Sequence, residues 1–103
     1  MSTLHLNLHK KFFDMILSGE KPEEYREFKD CWIRRLKKAK LAGAKTITFS
    51  NGYRKDRRQF VIEWPEYRIG FGQTRWGADS QRELRFVLTL GKILSTKSCE
   101  ATK

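Results

Sequence analysis

Leu4, Leu6 and Leu8 alternate with His5, Asn7 and His9, the period of a strand with one covered face. The period then changes. From Lys10 to Ser18, Phe12, Phe13, Ile16 and Leu17 share one helical face, and Gly19 stands where a left-handed C-cap belongs. Pro22 turns Lys21 away from helical dihedrals, so extended chain is expected through Tyr25 or Arg26. A second helix is predicted from Asp30 to Leu41, with Asp30 as its N-cap, Trp32, Leu36 and Ala39 as its buried stripe and Gly43 marking its end.

The remainder reads as β. Thr46–Phe49, Gln59–Trp64, Tyr67–Phe71 and Leu84–Leu90 are rich in β-branched and aromatic residues, with Asn51, Gly52, Pro65, Gly70, Gly72 and Gly77 as punctuation. In the last of these runs Leu84, Phe86, Leu88 and Leu90 alternate with Arg85, Val87 and Thr89, which predicts one buried face. The expected architecture is α+β: a small β-barrel of about five or six strands with two short helices near the N-terminus. Residues 1–94 are expected to form a single domain and residues 95–103 a flexible C-terminal tail. There is no internal repeat and no low-complexity tract.

With 103 residues there is room for one core and one shallow site. Hydrophobic residues make up 39% of the chain, enough for a packed interior, so a fully disordered protein is excluded. No run approaches the roughly 18 apolar residues of a membrane span, and Met1–Leu8 lacks a signal-peptide core, so a cytoplasmic protein is expected. Cys31 and Cys99 stand in no CxxC or Cys/His cluster and are expected to be reduced. His5 and His9, with no cysteine or fixed carboxylate nearby, do not make a metal site, and no P-loop or dinucleotide turn is present, so neither metal nor cofactor is expected.

The formal charge of +10 is concentrated. Between Cys31 and Arg58 stand Arg34, Arg35, Lys37, Lys38, Lys40, Lys45, Arg54, Lys55, Arg57 and Arg58 against the single acid Asp56. The preceding segment, Glu20 to Asp30, is mixed, with Glu20, Glu23, Glu24, Glu27 and Asp30 beside Lys21, Arg26 and Lys29. A basic block next to a mixed block points to a polyanion-facing side with a chemically distinct pocket beside it.

Within the mixed block, extended chain puts Glu24 and Arg26 on one face with Lys21 near its edge. Arg26 offers a planar fork of donors, Lys21 a cation whose pKa falls on desolvation, and Glu24 a carboxylate that either holds them or acts as a base. The same charges also fit a solvated loop of exchanging ion pairs, each worth under about 1 kcal/mol. Beyond it, Asn51 and Tyr53 precede Arg54, Lys55, Arg57 and Arg58, and Trp76 lies in a loop. Bases stack on such rings while cations hold phosphates, so Asn51, Tyr53 and Trp76 are candidate ligand contacts. Arg34, Arg35, Lys37, Lys38, Arg54, Lys55, Arg57 and Arg58 are the candidate backbone-holding residues. Trp32 and Trp64 are expected in the core.

The run Gly19-x-Lys21-x-x-Glu24-x-Arg26, following Phe13-x-x-Ile16-x-x-Gly19, resembles the signature of the ASCH domain family in the PUA-like superfamily. The order of strand, Phe12–Phe13 helix, signature, basic helix, Thr-Ile-Thr-Phe strand and Asn-Gly-Tyr is similar to small ASCH proteins of bacteria and their phages, up to about Leu94. The resemblance implies a PUA-like barrel with a cleft beside the signature, Lys21 and Glu24 as catalytic candidates and Arg26 as a ligand contact. It also implies binding of RNA, single-stranded nucleic acid or a modified nucleoside and, in some members, ribonuclease or acyl-cytidine amidohydrolase chemistry. In the amidohydrolase branch a threonine nucleophile stands where this chain has Glu24, so that mechanism does not carry over. Three function classes follow: an RNA-binding domain, a hydrolase acting through Lys21, or a basic accessory protein docking on an acidic partner. A monomer or weak dimer is expected.

Overall fold

The computed structural model describes residues 3–53, 57–78 and 83–97. The order is β1 (Thr3–Asn7), α1 (Lys10–Leu17), β2 (Glu23–Glu27), α2 (Asp30–Leu41), β3 (Thr46–Ser50), β4 (Gln59–Glu63), β5 (Glu66–Phe71), a 3₁₀ turn (Thr74–Trp76), β6 (Leu84–Thr89) and β7 (Ile93–Lys97). The fold is α+β, as the periodicity predicts, with seven strands among the described residues where five or six were expected.

Those strands form two sheets, ordered β1-β3-β4-β7 and β2-β6-β5, and are not closed into a barrel. Two features keep the sheets apart. Pro65, which has no N–H to give a ladder, ends β4, and the chain passes to β5 in the other sheet. The first sheet terminates at β7, whose residues after Ile93 are exposed. Ser95, Thr96 and Lys97, assigned to the tail on composition, pair with Val61, Phe60 and Gln59 of β4. Residues 98–103, and Cys99 with them, lie outside the described residues.

A single cluster joins the layers. Leu4, Leu6, Ile47, Phe49, Phe60 and Ile62 from the first sheet meet Phe86 and Leu88 from the second, with Phe13 and Ile16 of α1, Leu36 of α2, and Trp64. The Phe13 and Phe60 rings meet edge to face at 4.8 Å, and Phe49 lies 5.4 Å from Phe60. Trp64 is core, as expected. Trp32 is only half-buried and packs on the cluster from its margin.

Local rules account for the boundaries. Gly19 follows α1 with φ 88°, the left-handed C′ position predicted for it. The N-cap of α2 is Lys29, not Asp30: the Lys29 carbonyl accepts from both Trp32 and Ile33, so Asp30 falls in the first turn, where its charge faces the positive end of the helix dipole. In β6 both faces are covered, since Arg85 and Val87 are buried while Leu84 is exposed. As the central strand, β6 sets Val87 directly across from Tyr25 and Arg68, long side chains that shield its second face.

Candidate functional site

β2 is the strand that breaks the hydrophobic rule. Glu24 pairs with Leu88 and Arg26 with Phe86, so by register the carboxylate and the guanidinium stand on the face that carries core residues. Glu24 is 6% exposed and Lys21, in the turn before β2, is 2% exposed. Charges in such positions must be paired.

Glu24 supplies the pairing for both cations. Its Oε1 lies 3.3 Å from Lys21 Nζ and its Oε2 accepts from Arg26 Nη2 at 2.7 Å. The same Nη2 also donates to the Asn7 carbonyl at 3.2 Å. Lys21 Nζ donates to the Trp76 carbonyl and lies 4.6 Å from the centre of the Tyr25 ring and 5.5 Å from that of Phe12. Burial pulls the Lys21 pKa down from its usual 10.5, and the Glu24 carboxylate opposes that shift.

Two donors are left over. An ammonium carries three protons, and the Trp76 carbonyl and Glu24 account for two. Arg26 Nε is buried with no acceptor among the described residues. Both residues line a cavity of 250 Å³ together with Asn7, His9, Phe12, Tyr25, Trp76 and Gly77.

The wall bearing Trp76 is fixed from β2. The Tyr25 hydroxyl donates to Glu23 Oε1 at 2.8 Å and accepts from the Gln73 N–H at 3.0 Å, pinning the residue before the 3₁₀ turn. Desolvation pushes the Tyr25 pKa up to about 12, so the hydroxyl keeps its proton. Gly77 closes the turn at φ 104°, and a Cβ there would stand 2.9 Å from the Phe12 ring. Only glycine gives both the backbone and the clearance.

A second cavity of 310 Å³ adjoins the first. It is lined by Asn51, Gly52, Tyr53 and Lys10, and it shares Asn7, Leu8 and His9 with its neighbour. Asn7 and Gly52 exchange hydrogen bonds, Nδ2 to the Gly52 carbonyl at 2.6 Å and the Gly52 N–H to Oδ1 at 3.3 Å. Asn51 Nδ2 donates to the Leu8 carbonyl at 3.1 Å, so this predicted ligand residue ties β3 to the chain after β1 while its side chain borders the cavity. Tyr53 is 88% exposed.

The predicted phosphate-holding cations divide. Arg34, Lys37 and Lys38 are exposed on α2. Arg35 donates to the His5 carbonyl at 3.0 Å and lies over Trp32, whose ring is also within 4.9 Å of Arg26, so Arg35 adjoins the cleft through that ring. Arg58 pairs with Asp14 at 2.9 Å and rests 4.6 Å from the Phe13 ring centre. Arg57 is half-buried, and Arg54 and Lys55 lie outside the described residues. Lys40, from the same block, donates to the Trp64 carbonyl at 3.1 Å, 3.8 Å from the centre of that ring, and burial lowers its pKa. It borders a hollow of 460 Å³ between the end of α2 and Pro65, and is already engaged there.

Of the candidates read from the sequence, the structure places Lys21, Glu24, Arg26 and Trp76 on one cavity and Asn51 and Tyr53 on the next. The sequence reading missed Asn7, His9, Phe12 and Tyr25. The polar side of the β1 alternation and the ring between Glu24 and Arg26 were the available signals. No cluster of three metal-ligating side chains occurs among the described residues, and none of their helices is long and apolar enough to cross a membrane.

The lowered Lys21 pKa has a testable sign. The folded protein releases this proton below 10.5 while the unfolded chain still holds it, so stability rises with pH across that window. Parent protein should therefore gain on a Lys21→Met variant as pH climbs from neutrality towards 10.5. Urea unfolding of both proteins over that range measures the difference, and a constant difference would refute it.

No protein-family model matches the chain, and neither a curated protein nor a solved structure matches it.

Proposed function

We propose that the protein is an ASCH-like, PUA-like domain that binds single-stranded nucleic acid, with RNA as the ligand. A base enters the Lys21–Glu24–Arg26 cavity and phosphates lie along the cations of α2. The observation that carries the reading is one cavity lined by two cationic side chains with donors to spare, the buried Lys21 ammonium and the Arg26 guanidinium, whose buried Nε–H has no acceptor among the described residues. A nucleobase presents carbonyl and ring-nitrogen acceptors to such donors, and unstacked bases are available only in single strands. Arg35 adjoins Arg26 of the cavity through the Trp32 ring, and Arg34, Lys37 and Lys38 are exposed on the same helix, which supports a path for the backbone.

Affinity for a short RNA should fall with salt at a log–log slope near 0.7 per phosphate contacted, about tenfold between 50 and 200 mM if two or three are held. Fluorescence anisotropy at several salt concentrations measures it. Binding that ignores salt, or no binding at 50 mM, would sink the reading.

The buried amine favours one second reading, a hydrolase acting on RNA or on an acylated cytidine through Lys21. A lysine with a lowered pKa beside a carboxylate suits proton transfer. Among the described residues lining the cavity the sole hydroxyl is that of Tyr25, held by Glu23 and Gln73, so a hydroxyl nucleophile has no support. Incubation with RNA and with acylated cytidine, followed by chromatography, separates the two readings.

A further inference from the structure

The nucleic-acid reading leaves open how much of a strand the cleft takes. A single base in the first cavity would leave the second without a role. Yet the two share a wall: Asn7, Leu8 and His9 border both. At 250 and 310 Å³, each stands at or below the lower end of the roughly 300–1,000 Å³ typical of small-molecule sites. Neither is suited to a whole nucleotide with its sugar and phosphate, and each suits one ring.

The chemistry of the two ends differs. The first cavity is lined by two cationic side chains with buried nitrogens, Lys21 and Arg26, which are directional donors of the kind that suits a base edge. The second presents the Tyr53 ring, 88% exposed, a flat surface that any base can stack on. Lys10 borders the second cavity, and its charge is shared with Asp14 at 2.9 Å. Between the cavities the chain enters α1, whose first turn has neither a side-chain cap nor an acid. A phosphodiester crossing this wall meets no negative charge in that turn.

Resting on the nucleic-acid reading, we propose that the unit recognised is a dinucleotide step of single-stranded RNA. One base is read by Lys21 and Arg26, its neighbour is stacked on Tyr53, and the linking phosphate passes over the Asn7–His9 wall. The preferred ligand is thus a strand and not a free nucleoside or mononucleotide.

Titration calorimetry tests this with the four ribonucleoside monophosphates against UpU, CpC, ApA and GpG. Each probe carries one phosphate, so tighter binding of a dinucleotide reports its second base. The best dinucleotide should bind at least about fivefold tighter than its monophosphate, the lower end of what one base–aromatic stack contributes. Tyr53→Ala should bring it back to the monophosphate's affinity and Tyr53→Phe should keep the gain. Tyr53 is exposed, so neither change disturbs the core. If monophosphates bind in a Lys21-dependent way and dinucleotides bind no tighter, the dinucleotide step is refuted while the cleft reading survives. A gain that persists in Tyr53→Ala refutes the placement of the second base. If no probe and no longer RNA binds, both readings fall.

Discussion

Replacing Glu24 with alanine should unfold much of the protein at temperatures where the parent is intact. Glu24 is the common partner of two cations, and Lys21 is 2% exposed, so the substitution leaves an ammonium in the interior facing a guanidinium with no anion between them. Removing one partner of a buried ion pair costs about 3–5 kcal/mol. Against a total of about 5–15 kcal/mol for a domain, that is a large share, and a fall in Tm on the order of 20 °C is expected. The origin of the loss can be separated from simple cavity formation. Combining Glu24→Leu with Lys21→Met removes the buried charge with its counter-charge and keeps the volume, so the double variant should recover most of the stability. Arg26 tolerates this, since its side chain is 19% exposed and it keeps the Asn7 carbonyl. Calorimetric unfolding of the three proteins decides the matter. A Glu24→Ala protein with the parental Tm would show that the ion cluster holds nothing together.

The second large effect concerns binding. Lys21→Met keeps a long apolar stem between the Phe12 and Tyr25 rings and leaves Glu24 paired to Arg26, so the variant should fold. What it lacks is the charged donor facing the cavity. Losing one partner of a desolvated charged contact costs about 2–5 kcal/mol, so affinity for a single-stranded RNA should drop roughly 30-fold or more. Circular dichroism confirms the fold and anisotropy reads the affinity. A folded Lys21→Met protein that binds RNA as tightly as the parent would move the site elsewhere on the surface.

The cleft was legible in the sequence because its parts are local. Lys21, Glu24 and Arg26 lie within six positions, and the two-residue period of β2 is sufficient to set the last two on one face. The partners that complete it are remote. The Trp76 carbonyl reaches Lys21 across 55 positions and the Asn7 carbonyl reaches Arg26 across 19, and backbone acceptors carry no residue-type signal. The tie that Asn51 makes to the Leu8 carbonyl was hidden for a related reason, since an amide after a strand carries no sequence mark of joining two chain segments. β7 escaped notice because it is an edge strand with one partner. Only Ile93 is partly covered, so Ser95, Thr96 and Lys97 can be polar without breaking any rule. The open sheets were equally hidden, since five strand-like runs predict strands but not which ladders are left unmade.

The parallel pairing of β1 with β3, Thr3 with Thr46 through Asn7 with Ser50, also bears on how the protein acquires its site. Everything between the two strands, including α1, the Lys21 turn, β2 and α2, belongs to the crossover that this pairing closes. Closing so long a loop is entropically expensive, and contacts of high sequence separation form slowly. Asn7 contributes both a wall of the cleft and the acceptor for Arg26, so the pocket is assembled only once that closure is complete. A nascent chain would carry its cations long before its cleft, and any polyanion it met in that interval would be held by charge alone.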